Sequence, residues 1–283
     1  MIYISTASVK NSKIRDSVIE LAENGFKNIE LSGGTQYYQN YEEDLLKLKD
    51  KYGLNYRCHN YFPPPKKPFV LNLASLNEET FQMSFEHLQK VISLSARLGA
   101  DKFAFHAGFF IDIKIDEIGK KLSKDNLFDE TKAVDRFCNA FNLIKEQAQN
   151  LSLFIENNVF SKTNASTYDG EKPFMMTSFG DYTSLREKID FNLLLDVAHL
   201  KVSVQTLGLD WEDEFEKMMS VSNYIHVSDN DGLHDLNNQL TKKSNLLAMI
   251  KEIDTANKDF TLEVNDGVDA IKASHDLLSE AVQ

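Results

Sequence analysis

Two textures alternate along the chain. Short apolar runs rich in β-formers are each followed by a longer segment whose apolar residues recur at three- and four-residue spacing. IYISTASV (2–9) reads as a strand. SKIRDSVIELAENGF (12–26) reads as a helix with Ile14, Val18, Ile19 and Leu21 on one stripe, Ser12 as its N-cap and Gly25 at its end. KNIELSGG (27–34) is a strand that stops in two glycines, and YEEDLLKLKDKYG (41–53) is a helix closing on Gly53. LNYRCHNYFPPP (54–65) is a strand ended by three prolines. The rhythm then repeats: helix 76–99, strand 100–108, helix 129–150, strand 151–158, helix 181–189, strand 190–199, helix 211–222, strand 223–231, helix 244–254, strand 258–266 and a closing helix 268–283.

Eight strands alternating with eight helices demand parallel pairing through right-handed crossovers. A doubly wound sheet and a closed barrel both satisfy that. Eight units in 283 residues match the barrel, and the GxGxxG turn of a dinucleotide fold is missing after the first strand. No compositional break divides the chain. The expected fold is α/β, a single (β/α)8 TIM barrel over residues 1–283. Two connections exceed ordinary loop length, one after the third strand and one after the fifth. Their aromatic residues Tyr61, Phe62, Phe160, Tyr168 and Phe174 predict packed lids over the barrel mouth.

Composition narrows the partners. The formal net charge of -12 opposes a phosphate backbone, so no nucleic acid is expected. No run approaches the roughly 20 apolar residues that span a bilayer, so no membrane partner is expected. The opening MIYISTASVKNSKIRD lacks a basic segment followed by a long apolar run, which makes the cytoplasm the expected compartment. Cys58 and Cys138 form neither a disulfide framework nor a CxxC metal site.

The strand ends carry the chemistry. In such a barrel the C-terminal ends of all strands converge on one mouth. Strands three to eight end at His59, His106, Glu156, Asp196, His226 and Glu263, and His199 lies three residues past Asp196. Buried carboxylates without partners are costly, and no Lys or Arg stands among these strand ends. The cluster therefore calls for a cation, with a cation-free ionised cluster as the alternative. Glu, Asp, His and Glu on four successive strands form a hard, oxygen-rich donor set. It suits Mn2+, Mg2+ or Co2+ ahead of Zn2+.

The strings FHAG (105–108), IENN (155–158), LDVAH (195–199), IHVSDNDG (225–232) and LEVN (262–265) fall in order on strands four to eight. In this the chain resembles the xylose isomerase-like barrel superfamily, which includes sugar isomerases and epimerases, inosose and dehydroshikimate dehydratases, and endonuclease IV. The resemblance implies a divalent metal held by Glu156, Asp196, His226 and Glu263, and a substrate-contacting His199. His59 and His106 match positions where the nuclease holds further zinc and the isomerases hold substrate. Asn158, Asp229 and Asp231 are further candidate substrate contacts, the two aspartates either orienting His226 or lying in a solvated loop. Homo-oligomers are common in this superfamily, but no apolar surface stripe along the chain argues for one.

Departures from the superfamily patterns bear on the branch. The nuclease's Asp-x-His pair is matched here by Asp235-Leu236-Asn237. The arginine that ketohexose epimerases carry six residues past the seventh-strand histidine is Gly232. Lys201 and Arg57 are read as solvated. The expected activity is metal-dependent isomerisation or epimerisation of a sugar-like hydroxy-carbonyl compound through an enediolate. Glu156 and Glu263 would serve as acid and base, with His199 on a substrate oxygen. Dehydration of a cyclic keto-polyol is the close alternative. A nuclease or a non-catalytic sugar-binding barrel is the remoter one.

Overall fold

The computed structural model describes all 283 residues. Eight parallel strands close a barrel in sequence order: β1 (Ile2–Ser5), β2 (Asn28–Leu31), β3 (Asn55–His59), β4 (Lys102–His106), β5 (Ser152–Glu156), β6 (Asn192–Asp196), β7 (Ser222–Val227) and β8 (Asp259–Leu262). Ten α-helices surround them: α1 (Ile14–Glu23), α2 (Tyr41–Tyr52), α3 (Glu78–Leu98), α4 (Glu130–Gln147), α5 (Lys162–Thr167), α6 (Phe179–Arg186), α7 (Val197–Leu207), α8 (Trp211–Val221), α9 (Asn245–Lys251) and α10 (Val268–Ala281). No helix is long and apolar enough to cross a membrane.

The expected barrel is present, with local differences. The first strand ends at Ser5, and Thr6–Ser8 turn as a 3-10 helix that Ser5 caps. Lys13, not Ser12, precedes α1, and no side chain caps that helix. The sixth strand stops at Asp196, because that carboxylate accepts the His199 amide and so starts α7. The lid after β5 contains the short helix α5, capped by Ser161. The connection after β4 is a third long one, beyond the two expected.

Side chains alternate between the two faces of each strand. Outward residues pack under the helices as the main hydrophobic core. Inward residues form three layers. The top layer holds His59, His106, Glu156, Asp196 and His226 at the strand ends, with Glu263 directly after β8. The middle layer is a small apolar cluster of Ala104, Phe154, Leu194 and Tyr224, with Glu30 and Thr261 beside it. The bottom is plugged by Arg57, which is fully buried rather than solvated. It faces inward because it lies two residues before His59. Its guanidinium meets Asp101 at 2.8 Å and Asp259 at 2.7 Å, and stacks 4.1 Å from the Tyr3 ring centroid.

Candidate metal and substrate site

Strand register sets the top layer. His106 is the Cα partner of Glu156, and Asp196 is that of His226. Glu156 is the hub, 1% exposed. Its Oε2 lies 2.7 Å from His59 Nε2 and 3.2 Å from His106 Nδ1. Its Oε1 lies 3.7 Å from both His199 Nδ1 and His226 Nδ1. Glu263 Oε2 is 3.6 Å from His226 Nδ1. Donor atoms of Asp196, His226 and Glu263 gather within 4.8 Å of one another, as do those of His59, Glu156 and His226. The four residues of the expected metal set therefore fall in two groups joined through His226, with His59, His106 and His199 beside Glu156.

Asn157 builds the wall between β5 and β6. Its Oδ1 accepts the Asp196 amide at 2.8 Å, and its Nδ2 donates to the Asp196 carbonyl at 3.0 Å. Asp196 Oδ1 then accepts the His199 amide at 2.8 Å, leaving Oδ2 toward the cluster. This is why a strand can run straight into a helix and set His199 over the mouth. His199 Nε2 also lies 3.3 Å from Asp235.

Other candidates stand apart. Asn158 is buried, and its amide donates to the carbonyls of Ala107, Gly108 and Met175, so it fastens the lid loops. Gly108 is needed at that junction, because a Cβ there would collide with Ala74 and with the Met175 sulfur. Asp229 pairs with Lys201 at 2.9 Å, which is therefore bound rather than solvated. Asp231 accepts the Leu233 and His234 amides in an exposed turn. Neither aspartate orients His226. Asn237, at the nuclease's histidine position, instead accepts the Ser228 hydroxyl at 2.9 Å.

The residue that strand-end reasoning misses is Glu30. It is wholly buried in β2, its Oε1 2.9 Å from His226 Nε2. Its Oε2 accepts the Tyr224 hydroxyl and, at 2.8 Å, the Thr261 hydroxyl. A carboxylate inside the apolar run NIEL was the available signal. Burial pushes the His226 imidazole toward neutrality, but Glu30 and Glu263 outweigh it and hold the ring well above its usual pKa. Burial likewise raises Glu156, yet His106 and His59 outweigh it and keep the carboxylate ionised.

The donors fit a divalent cation. Nδ1 of both His226 and His106 is buried without a hydrogen-bond partner, and His226 Nε2 meets Glu30 Oε1 at ion-pair distance without hydrogen-bond geometry. Glu30, Glu156, Asp196 and Glu263 bring negative charge with no Lys or Arg inside the cluster. The field that raises the His226 pKa would equally hold a metal ion at its Nδ1 while Glu30 faces its Nε2. A partner on the second nitrogen of a ligating histidine fixes its tautomer and ring angle, and losing one typically costs 10–100-fold in metal affinity. Glu30→Gln is therefore expected to weaken Mn2+ binding by about 10–100-fold. Titration calorimetry checks this, and unchanged affinity would detach Glu30 from the site.

Residues 18–281 match the family model described as a xylose isomerase-like TIM barrel. Among solved structures, a D-tagatose 3-epimerase-like protein is similar with a TM-score of 0.74 and 17% identity, over 99% of this chain and 96% of that one. An L-ribulose 3-epimerase has a TM-score of 0.69 at 15% identity, over 99% and 94%. Endonuclease IV from Thermus thermophilus has a TM-score of 0.62 at 14% identity, over 99% and 98%. No curated protein matches this sequence.

Proposed function

Since the chain belongs to the xylose isomerase-like TIM-barrel family, we propose that it is a divalent-metal-dependent isomerase or epimerase of a sugar-like hydroxy-carbonyl compound. The observation that carries this reading is the pair of donor groups that meet at His226 in the mouth of the barrel, Asp196–His226–Glu263 and His59–Glu156–His226. Mn2+, Mg2+ or Co2+ suits the mainly carboxylate set, with Zn2+ less favoured. When bound, such an ion would polarise a carbonyl and its neighbouring hydroxyl and so acidify the adjacent carbon.

The chain's own residues divide the remaining work. Glu263 is the freer carboxylate, its side chain 16% exposed against 1% for Glu156. It takes the proton from the acidified carbon. Glu156 faces the same His226 Nδ1 as Glu263. It relays a proton from the His59 imidazolium 2.7 Å away to the neighbouring carbon or to the opposite face, and solvent reprotonates His59. His199 sits on the first turn of α7 and holds the substrate oxygen that gains charge, while His59 and His106 hold a further hydroxyl. The epimerases among the similar folds support a sugar substrate. Two features weigh against the nuclease reading: Asn237 turns to Ser228, and the net charge is -12.

The test is solvent exchange. The Mn2+-loaded protein is incubated in D2O with a panel of ketoses, aldoses, cyclitol ketones and dehydroshikimate. Deuterium entering next to the carbonyl is the expected result. A conjugated enone would redirect the reading to dehydration, and no exchange with any member would remove it.

A further inference from the structure

Above the histidines His106 and His199 lies a cavity of about 370 Å3. That volume falls in the range of about 300–1,000 Å3 that holds drug-sized ligands, and a bare hexose would leave part of it unfilled. Polar and apolar residues both line it, but apolar atoms supply most of the wall surface. Val70, Phe109, Leu122 and Phe174 belong to a hydrophobic cluster built by the loops after β3, β4 and β5, separate from the barrel core. Ile118 and Leu236 stand at its mouth, 47% and 45% exposed. Large exposed apolar side chains gathered around one opening mark a place where an apolar ligand is received.

The polar residues in the wall are largely committed elsewhere. The Asn158 amide serves three backbone carbonyls. Asn164 Oδ1 accepts the Leu122 amide, and Ser161 Oγ accepts the Asn164 amide. A polyol needs hydrogen-bond partners along its length, because hydroxyls buried without them cost free energy. This wall answers a hydrocarbon face instead. Among the residues that line this cavity, the buried polar atoms without a partner are His106 Nδ1 and Asp235 Oδ1, beside His199.

We infer that the substrate has two parts: a hydroxy-carbonyl head for the metal cluster, and an apolar substituent about the size of one aromatic ring, as in an aryl glycoside of a keto-sugar. This deepens the function proposed above and rests on it for the identity of the head.

The test compares two ketols that differ in the substituent alone, 1-hydroxybutan-2-one and 1-hydroxy-4-phenylbutan-2-one, on the Mn2+-loaded full chain. Calorimetry is expected to show the phenyl compound binding at least tenfold more tightly, which is about 1.4 kcal/mol. The loop variant Ile113→Ser/Ile118→Ser is expected to cut that preference below about threefold while leaving the smaller ketol's affinity unchanged. Both changes lie on a partly or fully exposed loop outside the barrel. Equal affinity for the two ketols, or no binding of either, would overturn the subsite. Deuterium exchange is followed in the same samples. Exchange without an aromatic preference sinks the subsite alone, and a preference without exchange sinks the proposed chemistry alone.

Discussion

Glu156→Gln is expected to weaken Mn2+ binding at least a hundredfold and to lower α-proton exchange at least a thousandfold, with the fold intact. The size follows from the position of this one carboxylate. Its Oε2 serves His59 and His106, while Oε1 faces His199 and His226. Glutamine keeps the shape but removes the charge that four imidazoles converge on. It also puts an NH2 group where only an acceptor suits metal and substrate donors. Removing a residue that merely supports a ligand costs about 10–100-fold, so losing a central ligand should cost more. Metal titration and exchange in D2O measure the two losses separately. Near-normal Mn2+ affinity in the variant would mean that the cluster does not hold the metal.

Arg57→Met is expected to destabilise the protein by about 3 kcal/mol, at the low end of the 3–5 kcal/mol typical for breaking a buried ion pair. The guanidinium is fully buried, stacked on Tyr3 and 5.0 Å from the Tyr224 ring centroid. Its loss leaves Asp259 in the barrel floor. The cost stays at the low end because Lys102 at 2.8 Å and the terminal amino group at 3.0 Å still face Asp259. Urea unfolding checks the value, and Arg57→Met/Asp259→Asn should recover part of it. A loss below about 1 kcal/mol, the scale of a surface pair, would deny the plug its role. The pH dependence has a definite sign. Burial raises Asp259, but Lys102, Arg57 and the amino terminus outweigh it and hold the carboxyl well below the usual carboxylate range. Asp101 is held low mainly by Arg57 against the same burial effect. Carboxyls depressed in the folded state contribute stability above their unfolded pKa near 3.8 and lose it as pH falls through their folded values. The gap between wild type and Arg57→Met should therefore narrow below about pH 4.

The barrel was legible because alternation of strand and helix leaves few topologies once handedness is imposed. The gathering of Glu156, Asp196, His226 and Glu263 at one mouth was legible for a related reason. The ends of parallel strands in a closed barrel must share a rim, so their position in the chain predicts their position in space. Glu30 and Arg57 escape a reading confined to strand ends, because they occupy the layers below. The two-residue period, counted back from His59, turns Arg57 inward. For Glu30, the signal is a charged residue within an apolar strand.

Other features had no local signal. Asp229 and Asp231 look like site residues in SDND, yet one is claimed by Lys201 and the other by its own turn. The sequence by itself determined the architecture and the inventory of donors at the barrel mouth, because both follow from periodicity along a chain confined to parallel strands. Only the tertiary structure decided that Glu30 backs His226, that Asn157 clamps Asp196, and that three loops close an apolar chamber above the histidines. Those arrangements depend on which distant side chains meet and which hydrogen bonds are already taken, and no spacing along the chain encodes that.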